Sequence, residues 1–267
     1  MKQLLWFLAV MGLTVSAASA GPNAGGVIVV HNTGIAWSTD LTVPPASPAP
    51  ASANPCPGVG TFVNQIAMGA GSGDVSAPLV WKVYAAFPAG ASPRLWTLGW
   101  GIGLTSAGAG AVAIQGNGAP STGVFFVTTD GWPGDSTFVG MGFADGARTA
   151  SVTELWWFGG YAYAGNAGES QTFSVIQHSI PENRFFVDDG TPNHTDGIAE
   201  YGTLGFGHAG TTPCPSSDPA AACCSPAGTC TITKQAECAA PATWHADWYA
   251  CTPNPCPLPT GACCYTD

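Results

Sequence analysis

Short apolar runs separated by Gly, Pro, Asn, Asp and Ser recur along residues 21–213. They cover Val27–His31, Thr61–Met68, Leu79–Phe87, Leu95–Leu104, Ala111–Gln115, Gly123–Thr129, Thr137–Phe143, Val152–Phe158, Thr172–Gln177, Arg184–Val187 and Ile198–Leu204. Runs of this length between turn residues predict strands. No convincing window repeats apolar side chains at i, i+3, i+4 and i+7, the signature of an amphipathic helix. The pattern therefore predicts an all-β chain, an antiparallel β-sandwich of jelly-roll-like kind. One run is especially regular. Trp96, Leu98, Trp100, Ile102 and Leu104 alternate with Thr97, Gly99, Gly101 and Gly103. A period of two puts the five large residues on one face, expected in the core. The glycine face predicts close approach by another backbone or a shallow groove.

Proline interrupts this pattern once at length. Residues 44–57 hold Pro44, Pro45, Pro48, Pro50, Pro55 and Pro57 among Ala and Ser. Proline fixes φ and donates no ladder hydrogen bond, so an extended loop is expected there. The first twenty residues follow a different logic. Lys2 precedes an apolar stretch beginning at Leu4-Leu5-Trp6-Phe7-Leu8, and Ala18-Ser19-Ala20 forms an A-x-A cleavage pattern before Gly21. This reads as a secretory signal, 1–20, too short in its apolar part to span a bilayer. The remaining chain is expected to be secreted, extracellular or on the cell surface, with no membrane span.

Charge narrows the partners. The net charge is −10, with six Lys and Arg in all. Nucleic-acid binding needs clustered cations to neutralise phosphates, and none exist here, so no nucleic-acid partner is expected.

Cysteine divides the chain. One Cys, Cys56, lies before residue 214, and eight of the ten lie from Cys223 onward. The predicted organisation is a β-sandwich over 21–213 and a Cys-rich region over 214–267. In that region Cys223, Cys224, Cys230, Cys238, Cys251 and Cys256 follow the spacing C-C-x5-C-x7-C-x12-C-x4-C, and Gly261-Ala262-Cys263-Cys264 restarts it. A unit this small buries little apolar surface, so disulfides are expected to stabilise it. The six cysteines can close on themselves, in a connectivity that the spacing leaves open. Cys223 and Cys224 should reach different partners, because neighbours in sequence strain a mutual bond. Cys56 and Cys214, both in Pro-Cys-Pro settings, can bridge if their Cα atoms lie within ~7 Å. Cys263 and Cys264 belong to an unfinished unit and are expected to be unpaired or joined to another chain.

Residues 222–264 resemble a short Cys-rich repeat found, often in tandem, in exported bacterial proteins of unknown function. The segments WWFGGYAYAG and IAEYGTLGFG are similar to β-rich domains that accompany such repeats. The resemblance implies secretion and a modular surface or extracellular role, and it brings no catalytic residues.

Candidate chemistry is sparse. His31, His178, His194, His208 and His245 are scattered, and no hydrolase or phosphate-loop motif is present. A glycoside hydrolase needs two carboxyl groups ~5–9.5 Å apart. Glu154, Glu169, Glu182 and Glu200 are available, and Glu154 precedes an aromatic cluster. Asp188, Asp189, Asn193 and Asp196 form an oxygen-rich loop suited to a structural Ca²⁺. No other cofactor is expected. Trp156, Trp157, Phe158, Tyr161 and Tyr163 form the densest aromatic cluster, and Trp132 sits in the turn-rich DGWPGD segment. Exposed aromatics of this kind would contact a glycan or a protein partner.

The expectation is a secreted, non-enzymatic surface, adhesive or matrix protein that binds a glycan or protein partner, or its own copies. A carbohydrate-binding module is the alternative, with a glycoside hydrolase third.

Overall fold

The computed structural model describes residues 21–39, 54–56, 59–69, 75–106, 111–120, 123–163, 171–180, 185–245, 248–249, 251–252 and 254–257. Among them there is no α-helix. The body strands are β1 (Val27–Ala36), β2 (Asn54–Cys56), β3 (Gly60–Phe62), β4 (Gln65–Ile66), β5 (Leu79–Ala86), β6 (Thr97–Ser106), β7 (Val112–Gly118), β8 (Val124–Thr128), β9 (Thr137–Phe143), β10 (Val152–Ala162), β11 (Gln171–Ile176), β12 (Phe185–Val187), β13 (Thr195–Gly197) and β14 (Thr203–Phe206). The tail adds β15 (Ala221–Cys224), β16 (Cys230–Thr233) and β17 (Thr243–His245), with one 3-10 turn at Gln235–Glu237.

The body is an antiparallel β-sandwich. One sheet has the order β1-β5-β10-β7. In the other, β6 is central: it pairs with β9 along one edge and with β12 and β11 along the other. That sheet continues outward to β8 past β9, to β13 past β12, and to β14 and β4 past β11. Strands from β5 to β11 cross repeatedly between the sheets. The core between them holds Trp81, Trp100, Trp156, Phe158, Phe173, Phe186 and Phe206, all essentially buried. Trp81 meets Phe173 and Phe206 edge-on, with ring centroids 5.6 Å and 5.8 Å away.

A third layer explains why β5 is buried on both faces. Its sequence LVWKVYAA is nearly continuous in apolar residues, where a half-solvated strand would alternate. Trp81, Val83 and Ala85 face the core. Tyr84 and Ala86 face outward, where Val27, Val29, Phe62 and Cys56 join them in a second apolar cluster. The β2–β3 hairpin thus lies on the outside of the first sheet. Cys56, near the end of the proline-rich segment, belongs to this packed layer, and residues 44–53 and 57 of that segment lie outside the described ones.

Several strands differ from the pattern-based boundaries. The Thr61–Met68 run divides into β3 and β4, because Asn64 turns inward and its side chain donates to the Gly210 carbonyl at 2.7 Å. The last body strand begins at Thr203, since Ile198–Gly202 runs against β1: the Ile28 N–H donates to the Glu200 carbonyl at 3.0 Å. In β6, Leu98, Trp100 and Ile102 are buried as expected, and Leu104 packs on the core. Trp96 departs from this face; it precedes the strand and is 38% exposed.

The glycine face of β6 is the outside of its sheet. A Cβ on Gly101 would collide with the Phe138 ring, and one on Gly142 with the Phe125 ring. Each ring covers the glycine directly opposite it on the next strand. The close approach therefore comes from aromatic side chains seated on glycine, not from another backbone.

Candidate functional site

The structure joins Cys56 to Cys214, with Cα atoms 5.1 Å apart. In the tail, Cys223 pairs with Cys238, Cys224 with Cys256 and Cys230 with Cys251. The adjacent Cys223 and Cys224 on β15 thus anchor two separate segments. Cys263 and Cys264 lie outside the described residues.

The aromatic cluster is mostly inside. Trp156 and Trp157 are 2% and 6% exposed, which removes both as contact residues. Trp156 lies in the core; Trp157, on the other side of β10, packs over Gly116 and Gly118 of β7. Trp132 is partly buried, not the fully exposed loop tip that its segment suggested. Its segment folds back over the end of the sandwich, where its ring meets Trp100 at 5.5 Å and Trp156 at 5.6 Å. The indole N–H groups of Trp132 and Trp156 both donate to Asn117 Oδ1, at 3.2 Å and 3.1 Å. That shared acceptor satisfies both polar ends and permits the burial. Tyr161 and Tyr163 remain at the surface. The Tyr163 hydroxyl donates to that of Tyr161 at 3.1 Å, and Tyr163 is 42% exposed.

The acidic loop distributes its carboxylates over three tasks. Asp188 Oδ1 accepts from the N–H groups of Gly190 and His194, at 3.0 Å and 2.7 Å, and Oδ2 meets His194 Nδ1 at 2.9 Å. Burial alone would raise the Asp188 pKa, but these backbone donors and the His194 ring together hold it below the ordinary carboxylate value. Asp189 forms a two-pronged pair with the Arg94 guanidinium at 2.7 Å on each prong. Asp196 is buried and accepts from the N–H groups of Gly21 and Asn23. Asn193 is exposed. Among the described residues, no three His, Cys, Asp or Glu side chains are grouped to hold a metal ion. Asp188, Asp189, Asn193 and Asp196 thus do not converge as the sequence suggested. The loop shapes itself through Asp188, and its other acids tie it to the body.

A polar cluster that the sequence pattern did not single out lies on the outer face of the first sheet. Lys82 is 2% exposed, and its Nζ donates to Glu154 Oε2 at 2.9 Å. His31 stands opposite Lys82 across the β1–β5 pair. Its Nδ1 accepts from the Val63 N–H at 2.9 Å, and Phe62 and Tyr84 meet its ring edge-on. Burial, and then the Lys82 charge, lower the His31 pKa to about 4. The imidazole is therefore neutral at ordinary pH, with its remaining proton on Nε2. Glu154 is thus held by a buried lysine, and Glu200 is exposed on a separate segment. Glu169 and Glu182 lie outside the described residues. A lone Lys in the apolar run VWKVY was the available signal for this cluster.

The most open apolar surface is β8. Phe125, Phe126 and Val127 are 50%, 48% and 77% exposed. Among the described strands β8 pairs only with β9, so it is an edge strand of the described sheet. Phe126 turns toward the gap between the sheets and meets Trp156 edge-on at 4.9 Å. Phe125 and Val127 lie on the outside, facing Gly142 and Gly140 of β9. Edge strands are commonly guarded by Lys or Pro; β8, with the sequence VFFVT, has neither. Consecutive apolar residues without alternation were the sequence signal for this surface.

This geometry defines the class: an all-β sandwich with a disulfide-stapled tail and an apolar open edge. No family model and no curated protein matches the sequence. Among solved structures, a cohesin module from a Clostridium perfringens ATCC13124 family 33 glycoside hydrolase aligns over 54% of this chain and 88% of that one, at 6% identity and a TM-score of 0.35. A likeness of that size carries no function to this chain.

Proposed function

We propose that the protein works outside the cytoplasm as a non-enzymatic adhesive or matrix component that associates with its own copies through the β8 edge. The observation that carries this reading is the uncharged, apolar edge strand Val124–Thr128 on a chain of net charge −10. Two acidic copies repel each other over most of their surfaces, and an uncharged edge is where they can approach. An edge strand is also self-complementary: two copies pair antiparallel about a two-fold axis, exchanging backbone hydrogen bonds along that edge. Four disulfides and the A-x-A leader support the extracellular setting. The pairing of Glu154 with Lys82 supports the non-enzymatic reading.

Light scattering across a concentration series tests the proposal. The native chain should pass from monomer to dimer or larger species, and Val127→Lys should remain monomeric. A native chain that stays monomeric at the highest attainable concentration overturns the self-association. A second reading, glycan binding, rests on the surface pair Tyr161–Tyr163. Glycan-array binding lost in Tyr163→Ala, without hydrolysis of the bound sugar, would favour it over the first.

A further inference from the structure

The nitrogen of Gly21, the first residue after the A-x-A pattern, rests against a buried carboxylate. Gly21 N–H donates to Asp196 Oδ1 at 2.7 Å, and Asn23 N–H donates to Oδ2 at 2.9 Å. Asp196 is 3% exposed. The turn bearing these donors is fixed to the body by the fully buried Asn23. Its Oδ1 accepts from the Arg94 N–H at 2.9 Å, and its Nδ2 donates to the Arg94 carbonyl. Inside the turn, Ala24 N–H donates to the Gly21 carbonyl and Gly26 N–H to that of Asn23. The Gly21 nitrogen is therefore held in place by the hydrogen bonds of this turn. A Cβ at Gly21 would press on the Asp196 carboxylate, so a larger residue there would displace that side chain.

While the peptide bond to Ala20 is intact, this nitrogen is a neutral amide with one N–H. Hydrolysis of that bond adds water, leaving a carboxylate on Ala20 and an α-ammonium on Gly21. At neutral pH the new group is mostly cationic and carries three N–H donors. A cation placed against a buried carboxylate forms a shorter, stronger, charge-assisted bond than an amide does.

We propose that Asp196 is the receptor for the α-ammonium of Gly21, so that cleavage after Ala20 creates a partly buried ion pair and tightens the fold. The inference rests on the reading of residues 1–20 as a removable leader. Its consequence is an order of events: the uncut chain folds with a weaker N-terminal anchor, and cutting completes it.

The test uses two versions of the chain, released from a removable N-terminal fusion so that they begin at Gly21 or at Ala20. The Gly21 chain should melt several degrees higher than the Ala20 chain. Its α-amine should acylate at least about tenfold more slowly in the folded state, as expected when the free-base fraction falls with one unit of pKa. Asp196→Asn in the Gly21 chain should restore rapid labelling and erase the difference in melting. If that variant does not fold, the two chains with native Asp196 still decide the matter by labelling and melting. Equal melting and equal labelling of those two chains would overturn the receptor. The leader reading fails separately: the intact mass of exported protein would then show an N-terminus other than Gly21.

Discussion

The sandwich body and the Cys-rich tail solve the same problem by different means. The body surrounds a continuous aromatic core, in which Phe158 meets Phe173 at 4.9 Å and Trp132 bridges Trp100 and Trp156. It is crossed by one disulfide, whose other cysteine lies 158 residues further along the chain. The tail buries little beyond Ala221, Ala222, Cys223, Cys224 and Cys256, and β16 leaves Ile232 43% exposed. In their place its described residues have three disulfides closing separations of 15, 32 and 21 residues. A long chain removes enough apolar surface from water to fold by packing, whereas a unit of tail size does not. Cross-links stabilise the tail by restricting its unfolded state.

Reduction should break this symmetry most strongly. Each tail disulfide contributes ~2–4 kcal/mol, more in sum than a small unit can lose. Reductant should therefore unfold the tail and leave the body folded, as read by limited proteolysis within residues 221–256. In the body, the largest single effect should come from the core: Trp100→Ala should cost ~3–5 kcal/mol in denaturant unfolding. Replacing Cys56 and Cys214 together by Ala should cost the body ~2–5 kcal/mol without abolishing its folding.

A smaller effect concerns pH. The His31 pKa falls to about 4 in the folded state, so below about 6.5 the unfolded chain takes up a proton that the native chain refuses. Stability should fall as pH drops from about 6.5 to about 4, by ~1–3 kcal/mol after solvent screening. His31→Asn keeps an acceptor for the Val63 N–H and should flatten the melting temperature over this window. Below about pH 4, protonation of Asp188, whose pKa is depressed, adds a further loss that the variant retains. The smallest expected effect on stability is that of Val127→Lys, within ~0.5 kcal/mol. That variant should abolish self-association while leaving the melting temperature unchanged.

Much of the fold was legible because strand alternation is a local property. The run from Leu98 to Ile102 declared its buried face, and turn residues marked most strand limits. Burial beyond one sheet was not local. The proline content of residues 44–57 suggested a loop, yet Cys56 belongs to a layer that buries the outer face of β5. The same layer hides Lys82 and His31 and makes them a cluster. The aromatic residues misled for a related reason. Trp132 lies in a turn-rich segment, but a turn can fold inward when Asn117 satisfies the indole N–H. The acidic loop carried the right atoms for a cation, and distant partners, Arg94 and the Gly21–Asn23 turn, claimed them. No spacing within the loop could reveal those partners. The exposed edge was readable in VFFV, where alternation fails.

The division of labour between packing and cross-links is tested most directly by amide hydrogen exchange of the whole chain, followed by mass spectrometry with and without reductant. Reduction should strip protection from residues 221–256 while β5, β6, β10 and β11 keep theirs. Protection that persists in the tail after reduction, or that vanishes from those central strands along with it, would contradict the account.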